Sequence, residues 1–90
     1  MSIIKLDPEF IMQNVGGEAV LVPVGSAGQE FKGIIRLNST ATFIVEHLRE
    51  GCTREDLVRA LEEEYEGTTE QFEASIDKVL SSLREAGAIK

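Results

Sequence analysis

The stretch "FKGIIRLNSTATFIVEHL", residues 31–48, contains two hydrophobic periods with no spacer between them. Over residues 31–37 apolar positions recur at every second residue, which is the period of a β-strand. From Ala41 to Leu48 they recur at intervals of three and four residues, the period of a helix. The change falls at Asn38, a residue type that caps helices well. The stretch therefore predicts a strand over 31–37 that leads directly into a helix over 39–50.

Length and composition are typical of a small folded domain. Of the 90 residues, 42% are hydrophobic and 28% are charged, so we expect residues 1–90 to form a single domain. The net charge of -7 disfavours nucleic acid and anionic membranes as partners. The chain has one cysteine, no signal-like start and no run of about 18 apolar residues. These features predict a cytoplasmic protein without a membrane segment.

The first third of the chain predicts a β-hairpin. The segments "FIMQNV" (10–15) and "EAVLVPV" (18–24) are separated by Gly16-Gly17, which tolerates the positive φ angles of a two-residue turn. This spacing places Val15 opposite Glu18 and fixes the rest of the register.

A loop and a third strand follow the hairpin. Residues 25–30, "GSAGQE", are interpreted as a flexible glycine-rich loop, and Pro23 indicates an irregular end to the second strand. The strand over 31–37 then completes an antiparallel sheet of three strands.

Three helices account for the remaining residues. The first helix, predicted over 39–50, is stopped by Gly51. Thr53 with Asp56 predicts a capping box for the second helix, and Thr68 with Gln71 predicts one for the third. The apolar stripe of the third helix comprises Phe72, Ile76, Val79, Leu80 and Leu83. The predicted fold class is therefore α+β, a three-stranded antiparallel sheet followed by three helices with a helix-turn-helix core.

The residue types that carry enzyme chemistry are sparse and scattered. His47 is the only histidine, and no cysteine or carboxylate lies at metal-ligand spacing from it. Cys52 has no evident base to hold it as a thiolate. The acidic run "LEEEYEG", 61–67, points its carboxylates in different directions around a helix. We therefore expect no catalytic residue, no metal site and no cofactor.

A helix-turn-helix core leaves a DNA-binding regulator as an alternative function. Its recognition helix would span 69–86 and would need basic or neutral side chains near its start. That part of the helix is acidic instead, and the residues concerned are Glu70, Glu73 and Asp77. Lys78 and Arg84 supply too few positive charges to offset them, so this function is disfavoured.

The third strand lies at an edge of the predicted sheet and carries Lys32 and Arg36 on one face. Charges on an edge strand commonly prevent aggregation. Alternatively, the free edge accepts an extended peptide as a fourth strand, with pockets beside a helix selecting its side chains. A third possibility is edge-to-edge pairing of two copies as a structural homodimer.

The ordered set of segments resembles the PqqD family, named for pyrroloquinoline quinone (PQQ) synthesis protein D, whose relatives are called RiPP recognition elements. The similar segments are "EFIMQNVGGEAVLVPV" (9–24), "GIIRLNSTATFIVEHLREGCTREDLVRALEEEY" (33–65) and "FEASIDKVLSSLREAGAI" (72–89). The family typically has a strand ending in Leu-Asn, small residues at the next helix start and a Thr-x-x-Asp/Glu cap. The resemblance covers nearly the whole chain.

This resemblance implies a winged helix-turn-helix fold and a peptide chaperone without catalytic activity. Such proteins bind the leader segment of a ribosomally made precursor and present it to a modifying enzyme, often a radical SAM protein, in PQQ biosynthesis or another peptide pathway. The leader pairs antiparallel with the third strand and packs against the third helix.

Carried onto this chain, the implied peptide-binding residues are Phe31, Lys32, Gly33, Ile34, Ile35, Arg36 and Leu37 on the strand, and Phe72, Ser75, Ile76, Val79, Ser82 and Leu83 on the helix. Lys32 and Arg36 would attract acidic leader residues. We expect a monomer or a weak homodimer.

Overall fold

The computed structural model describes residues 3–30 and 33–89. In chain order its elements are β1 (Phe10–Val15), β2 (Glu18–Pro23), α1 (Ala27–Glu30), β3 (Ile35–Leu37), α2 (Ser39–Glu50), α3 (Arg54–Glu64) and α4 (Thr69–Ala86). The three strands form one antiparallel sheet in the order β1-β2-β3. The predicted α+β fold is confirmed, and the third helix of the sequence prediction is α4.

The hairpin has the predicted register. Val15 lies opposite Glu18, and pairing continues without a slip to Phe10 opposite Pro23. Gly16 and Gly17 have φ angles of 60° and 84°, the pair of positive values that a type I′ turn requires. Only glycine adopts both without strain, so the turn is fixed locally by the sequence.

The third strand is shorter than predicted, because β3 begins at Ile35 rather than at residue 31. Continuing the β2–β3 register would place Gly33 opposite Pro23, which has no N–H to donate. Gly33 also has a φ of 152°, a value that suits glycine and departs from strand geometry. The ladder therefore stops at the pair formed by Leu21 and Ile35.

The segment predicted as a loop contains the four-residue helix α1. Its start is held by Glu9, whose carboxylate accepts hydrogen bonds from the Ser26 amide at 3.0 Å and the Ser26 hydroxyl at 2.5 Å. The Gln29 amide donates to the Ser26 carbonyl at 3.1 Å, which closes the helical turn. A contact between residues 17 positions apart thus overrides the low helix propensity of a glycine-rich segment.

All three predicted helix caps are present. The Asn38 side chain accepts the amide hydrogen of the third residue of α2 at 2.8 Å. Thr53 with Asp56 forms a capping box at the start of α3, and Thr68 with Gln71 forms another at the start of α4. These local bonds satisfy amides that a helix start would otherwise leave unpaired.

The hydrophobic core lies between one face of the sheet and helices α2, α3 and α4. Its fully buried side chains are Leu21, Ile44, Val45, Leu48, Leu57, Leu61, Ile76 and Leu83. Both ends of the described chain add to it, since Leu6, Ala88 and Ile89 are buried as well. Burial of this apolar surface supplies the main driving force for folding.

The N-terminal segment runs beside the turn between α2 and α3. The Ile4 amide donates to the Cys52 carbonyl at 2.7 Å, and the Cys52 amide donates back at 3.0 Å. The Leu6 amide donates to the Leu48 carbonyl at 2.9 Å. This segment is therefore used for packing against the helices and not for covering β3.

No helix within residues 3–30 and 33–89 combines the length and the apolar character that crossing a membrane requires.

Candidate functional site

The side of β3 that faces away from β2 is open. β3 is the last strand of the sheet, and among the described residues no strand except β2 pairs with it. An unpaired edge presents main-chain donors and acceptors that can bind another extended chain. The direction of these groups is therefore the first property of the site to establish.

The hairpin determines which residues of β2 bond to β1. In a two-residue turn of this type Val15 and Glu18 form a hydrogen-bonded pair, and such pairs recur at every second position. The Val24 amide donates to the Glu9 carbonyl at 2.7 Å, and this bond belongs to the same alternating set. The even-numbered residues of β2 thus direct their main-chain groups toward β1.

The odd-numbered residues of β2 consequently direct their main-chain N–H and C=O groups toward β3. Ala19 lies opposite Leu37, and Leu21 lies opposite Ile35. These pairs use the main-chain groups of Ile35 and Leu37, so the N–H and C=O of Arg36 point to the open edge. Arg36 is the strand residue best placed to bond an added strand.

A groove of about 280 Å³ lies between β3 and α4. Its strand wall is Ile35, Arg36 and Leu37, and its helix wall is Ser75, Lys78, Val79, Ser82 and Leu83. Asn38, Thr40 and Ala41, from the start of α2, complete the lining. The groove therefore runs directly beside the open edge and mixes apolar side chains with small polar ones.

The groove exists because α4 has two adjacent stripes. One stripe is buried in the core and comprises Phe72, Ile76, Leu80 and Leu83. The other lies one position round the helix and comprises Ser75, Lys78, Val79 and Ser82. Both follow helical spacing, so they occupy neighbouring faces. The serines are too small to fill the space beside β3, which leaves the groove open.

The structure brings together part of the site that the sequence predicted. The residues that line the groove are Ile35, Arg36, Leu37, Ser75, Val79, Ser82 and Leu83. Phe72 and Ile76 do not line the groove and lie in the core, where they are 8% and 0% exposed. Gly33 and Ile34 are exposed and precede β3, while Phe31 and Lys32 lie outside the described residues. Contact with a peptide remains a prediction for the whole set.

Sequence reasoning missed Lys78, Asn38, Thr40 and Ala41 as lining residues. Lys78 carried a usable signal, because it lies three positions after Ser75 and therefore on the same helix face. The other three follow from the direct junction of β3 with α2, which brings the first helical turn against the strand end.

Arg36 and Lys78 are the charged residues of the groove lining, and the Arg36 side chain lies on the face of β3 opposite to Ile35 and Leu37. Among the described residues, neither belongs to any of the ion pairs. These pairs instead involve Arg54 and Arg59, both on α3. The chain as a whole carries a net charge of -7, so Arg36 on the strand and Lys78 on the helix form a locally positive region on an acidic protein.

A polar cluster fastens α3 to α4 away from the groove. Arg54 donates from Nε and Nη2 to the two oxygens of Asp77 at 2.9 and 3.0 Å, and from Nη1 to Glu73 at 3.3 Å. The hydrogen bond from Arg54 lowers the pKa of Asp77 below its usual range. Two of the acidic residues that disfavour DNA binding are therefore held in this cluster.

Cys52 and His47 lack the settings of catalytic residues. Burial, together with the negative charge of Asp56, raises the pKa of the Cys52 thiol, so the reactive thiolate is disfavoured. The Nδ1 of His47 lies 2.9 Å from the Phe43 carbonyl and donates to it, and the two rings lie 4.5 Å apart. Both residues serve local packing.

A wider concavity of about 1260 Å³ lies between the N-terminal segment, the start of α3 and the C-terminal residues. Its lining mixes charges of both signs, and several of its main-chain groups are paired within the protein. The Asp7 amide, for example, donates to the Ala88 carbonyl at 2.7 Å. It offers no open strand edge, so the β3–α4 groove is the better candidate for binding an extended chain.

Comparison with known proteins identifies one family and two similar solved structures. The sequence model described as Coenzyme PQQ synthesis protein D (PqqD) matches residues 18–89. A structure of TbiB1 in complex with the TbiA(beta) leader peptide is similar with a TM-score of 0.76 and 20% identity, covering 96% of this chain and 94% of that one. A structure of lasso peptide synthetase B1 complexed with the leader peptide is similar with a TM-score of 0.75 and 29% identity, covering 97% of this chain and 96% of that one. No curated protein sequence matches the chain.

Proposed function

This chain belongs to the PqqD family, and we propose that it binds the leader segment of a ribosomally made precursor peptide by strand addition to β3. The observation that carries the proposal is the open edge of β3 beside the β3–α4 groove. Main-chain bonds at Arg36 would hold an extended segment, and the groove would take its side chains.

The two similar solved structures support this proposal, because both are complexes with leader peptides. The bound segment would leave the rest of the precursor free for a peptide-modifying enzyme. The resemblance to the family favours a radical SAM enzyme in that role. The protein itself would contribute binding and presentation without catalysis, in the cytoplasm that its single cysteine indicates.

The energetics require both parts of the site. Main-chain hydrogen bonds contribute about 0.5 to 1.5 kcal/mol each, and those at one strand residue offset only part of the cost of association. Apolar side chains buried in the groove would add roughly 25 cal/mol per Å². We therefore expect the leader segment to combine an extended backbone with apolar anchors.

An NMR titration tests the proposal directly. The isotope-labelled protein is titrated with a synthetic leader segment of a candidate precursor peptide, and with a scrambled peptide of equal composition. We expect amide shifts at Ile35–Leu37 and along the groove face of α4, and none with the scrambled peptide. Shifts confined to the wider N-terminal concavity, or no shifts at all, would contradict the proposal.

Sedimentation of the same samples addresses the homodimer alternative. A protein that pairs with itself through β3 would have no free edge, and peptide binding would then have to dissociate a dimer. We expect a monomer that binds one peptide. A stable dimer whose mass is unchanged by the peptide would favour the structural role.

A further inference from the structure

We propose that the open edge of β3 and the β3–α4 groove together select leader segments in which an acidic residue, with its carboxylate beside Arg36, lies between two apolar residues that face the groove. A second carboxylate would lie within reach of Lys78. This inference rests on the proposed function, since it specifies the chemistry of the leader that the same site accepts.

The first observation is charge. The groove lining contains Arg36 and Lys78 and no acidic residue, although acidic residues outnumber basic ones by 16 to 9 in the chain. Arg36 also lines a second cavity, in which Glu18 is the acidic residue, but the two form no ion pair. Among the described residues neither cation has an ion-pair partner. An acidic peptide would therefore be attracted to the edge and groove that carry these two cations.

The second observation is the register of β3. The N–H and C=O of Arg36 face the open edge, so a leader residue opposite Arg36 would form a hydrogen-bonded pair with it. Side chains of directly opposite residues lie on the same face of a sheet. The side chain of that leader residue would thus lie beside the exposed guanidinium of Arg36, where an aspartate or glutamate fits best.

The neighbouring leader residues would point the other way. Side chains alternate along a strand, so the residues before and after the acidic one would share the face of Ile35 and Leu37. That face borders the groove, where Val79 and Leu83 of α4 offer apolar contact. The expected pattern is therefore apolar, acidic, apolar.

Lys78 extends this pattern to the helix wall. It is exposed between Ser75 and Ser82, whose short side chains leave its ammonium group unobstructed. A leader side chain that points toward α4 is an odd number of positions from the one opposite Arg36. The second acidic residue is therefore expected at an odd separation from the first.

Selection from a displayed library of random ten-residue peptides tests the inference even while the natural leader is unidentified. The wild-type protein is compared with a double variant, Arg36→Glu with Lys78→Glu, and with a control, Lys5→Glu with Arg59→Glu. Both variants change the net charge equally, and the control residues are exposed and lie outside the groove. Thermal unfolding verifies that all three proteins are folded.

We expect the wild type and the control to enrich peptides with the apolar, acidic, apolar pattern, and the groove variant to enrich lysine or arginine at the central position. For one selected peptide, replacing the central aspartate by asparagine should weaken binding to the wild type about two- to fivefold. The same replacement should leave the affinity of the Arg36→Gln variant for the peptide unchanged. If wild type and groove variant enrich the same peptides without an acidic preference, the inference is wrong and the proposed function stands. If the wild type enriches no peptide, the proposed function fails and the inference fails with it.

Discussion

Replacing Arg36 by proline separates main-chain binding from side-chain binding at the site. The amide of Arg36 faces the open edge, so its loss leaves the bonds between β3 and β2 in place. Proline is tolerated on an edge strand when the missing N–H faces away from the sheet. Arg36→Ala is the matched control, because it removes the same side chain and keeps the amide.

The expected effect on binding follows from one lost donor. The hydrogen bond itself contributes about 0.5 to 1.5 kcal/mol, and a leader carbonyl left unpaired costs a further 1 to 3 kcal/mol or so. A total near 2 to 3 kcal/mol weakens binding roughly 30- to 150-fold relative to Arg36→Ala. The same change at Ile35 acts differently, because that amide bonds to β2. Ile35→Pro should lower the free energy of unfolding by about 1 to 3 kcal/mol.

Fluorescence anisotropy with a labelled leader peptide measures the affinity, and urea unfolding measures the stability of each variant. We expect Arg36→Pro to be folded and weak in binding, and Ile35→Pro to be destabilised. Equal affinities of folded Arg36→Pro and Arg36→Ala would refute strand addition at this edge. An Ile35→Pro variant as stable as Arg36→Pro would contradict the assigned direction of the main-chain groups, and a less stable Arg36→Pro would show that the direction is reversed.

Three further predictions concern the groove, the α3–α4 cluster and the buried thiol. Ser82→Trp should fill the groove and weaken peptide binding at least about tenfold, while Ser81→Trp, on the exposed face beside it, should bind as the wild type does in the same anisotropy assay; equal losses would contradict this. Because Arg54 lowers the pKa of folded Asp77, that contribution to stability is present above the unfolded pKa of about 3.9 and is lost as the pH falls through the folded value. Urea midpoints of the wild type should therefore fall more steeply between about pH 5 and pH 2 than those of Asp77→Asn. Equal pH dependence of the two midpoints would contradict a stabilising role of the Arg54–Asp77 bond. Burial is the main cause that raises the pKa of the Cys52 thiol, and the charge of Asp56 adds to it. Cys52 should therefore react with iodoacetamide more slowly in the folded protein than in urea, and equal rates would show that the thiol is accessible.

The sequence predicts those features whose causes are local. The register of the hairpin follows from Gly16-Gly17, and the helix starts follow from Asn38, Thr53 and Thr68. In each case the deciding contact joins residues no more than four positions apart, so it can be read from the order of residues.

Features that depend on distant partners could not be predicted in this way. The length of β3 is limited by Pro23, which would lie opposite Gly33 if the β2–β3 register continued. Helix α1 depends on the carboxylate of Glu9, and the position of the N-terminal segment depends on Cys52. Hydrophobic periodicity describes one element at a time and does not contain these pairings.

The candidate site was only partly predicted, and the reason is the same. The strand and the helix that form it follow from their periods, but periodicity does not separate the two stripes of α4. Phe72 and Ser75 differ by less than one helical turn, yet one lies in the core and the other in the groove. Their separation depends on how α4 is rotated against the sheet, which is set by packing of the whole domain.

The early end of the β2–β3 ladder has a consequence for how long a bound segment would stay. Three paired residues give a rim of only about 10 Å, at roughly 3.4 Å per residue, so few main-chain bonds could form along it. Short contacts of this kind dissociate quickly, since differences in affinity appear mostly in the off-rate. By ending the β2–β3 ladder at Ile35, Pro23 thus favours brief occupancy of this edge by a bound segment.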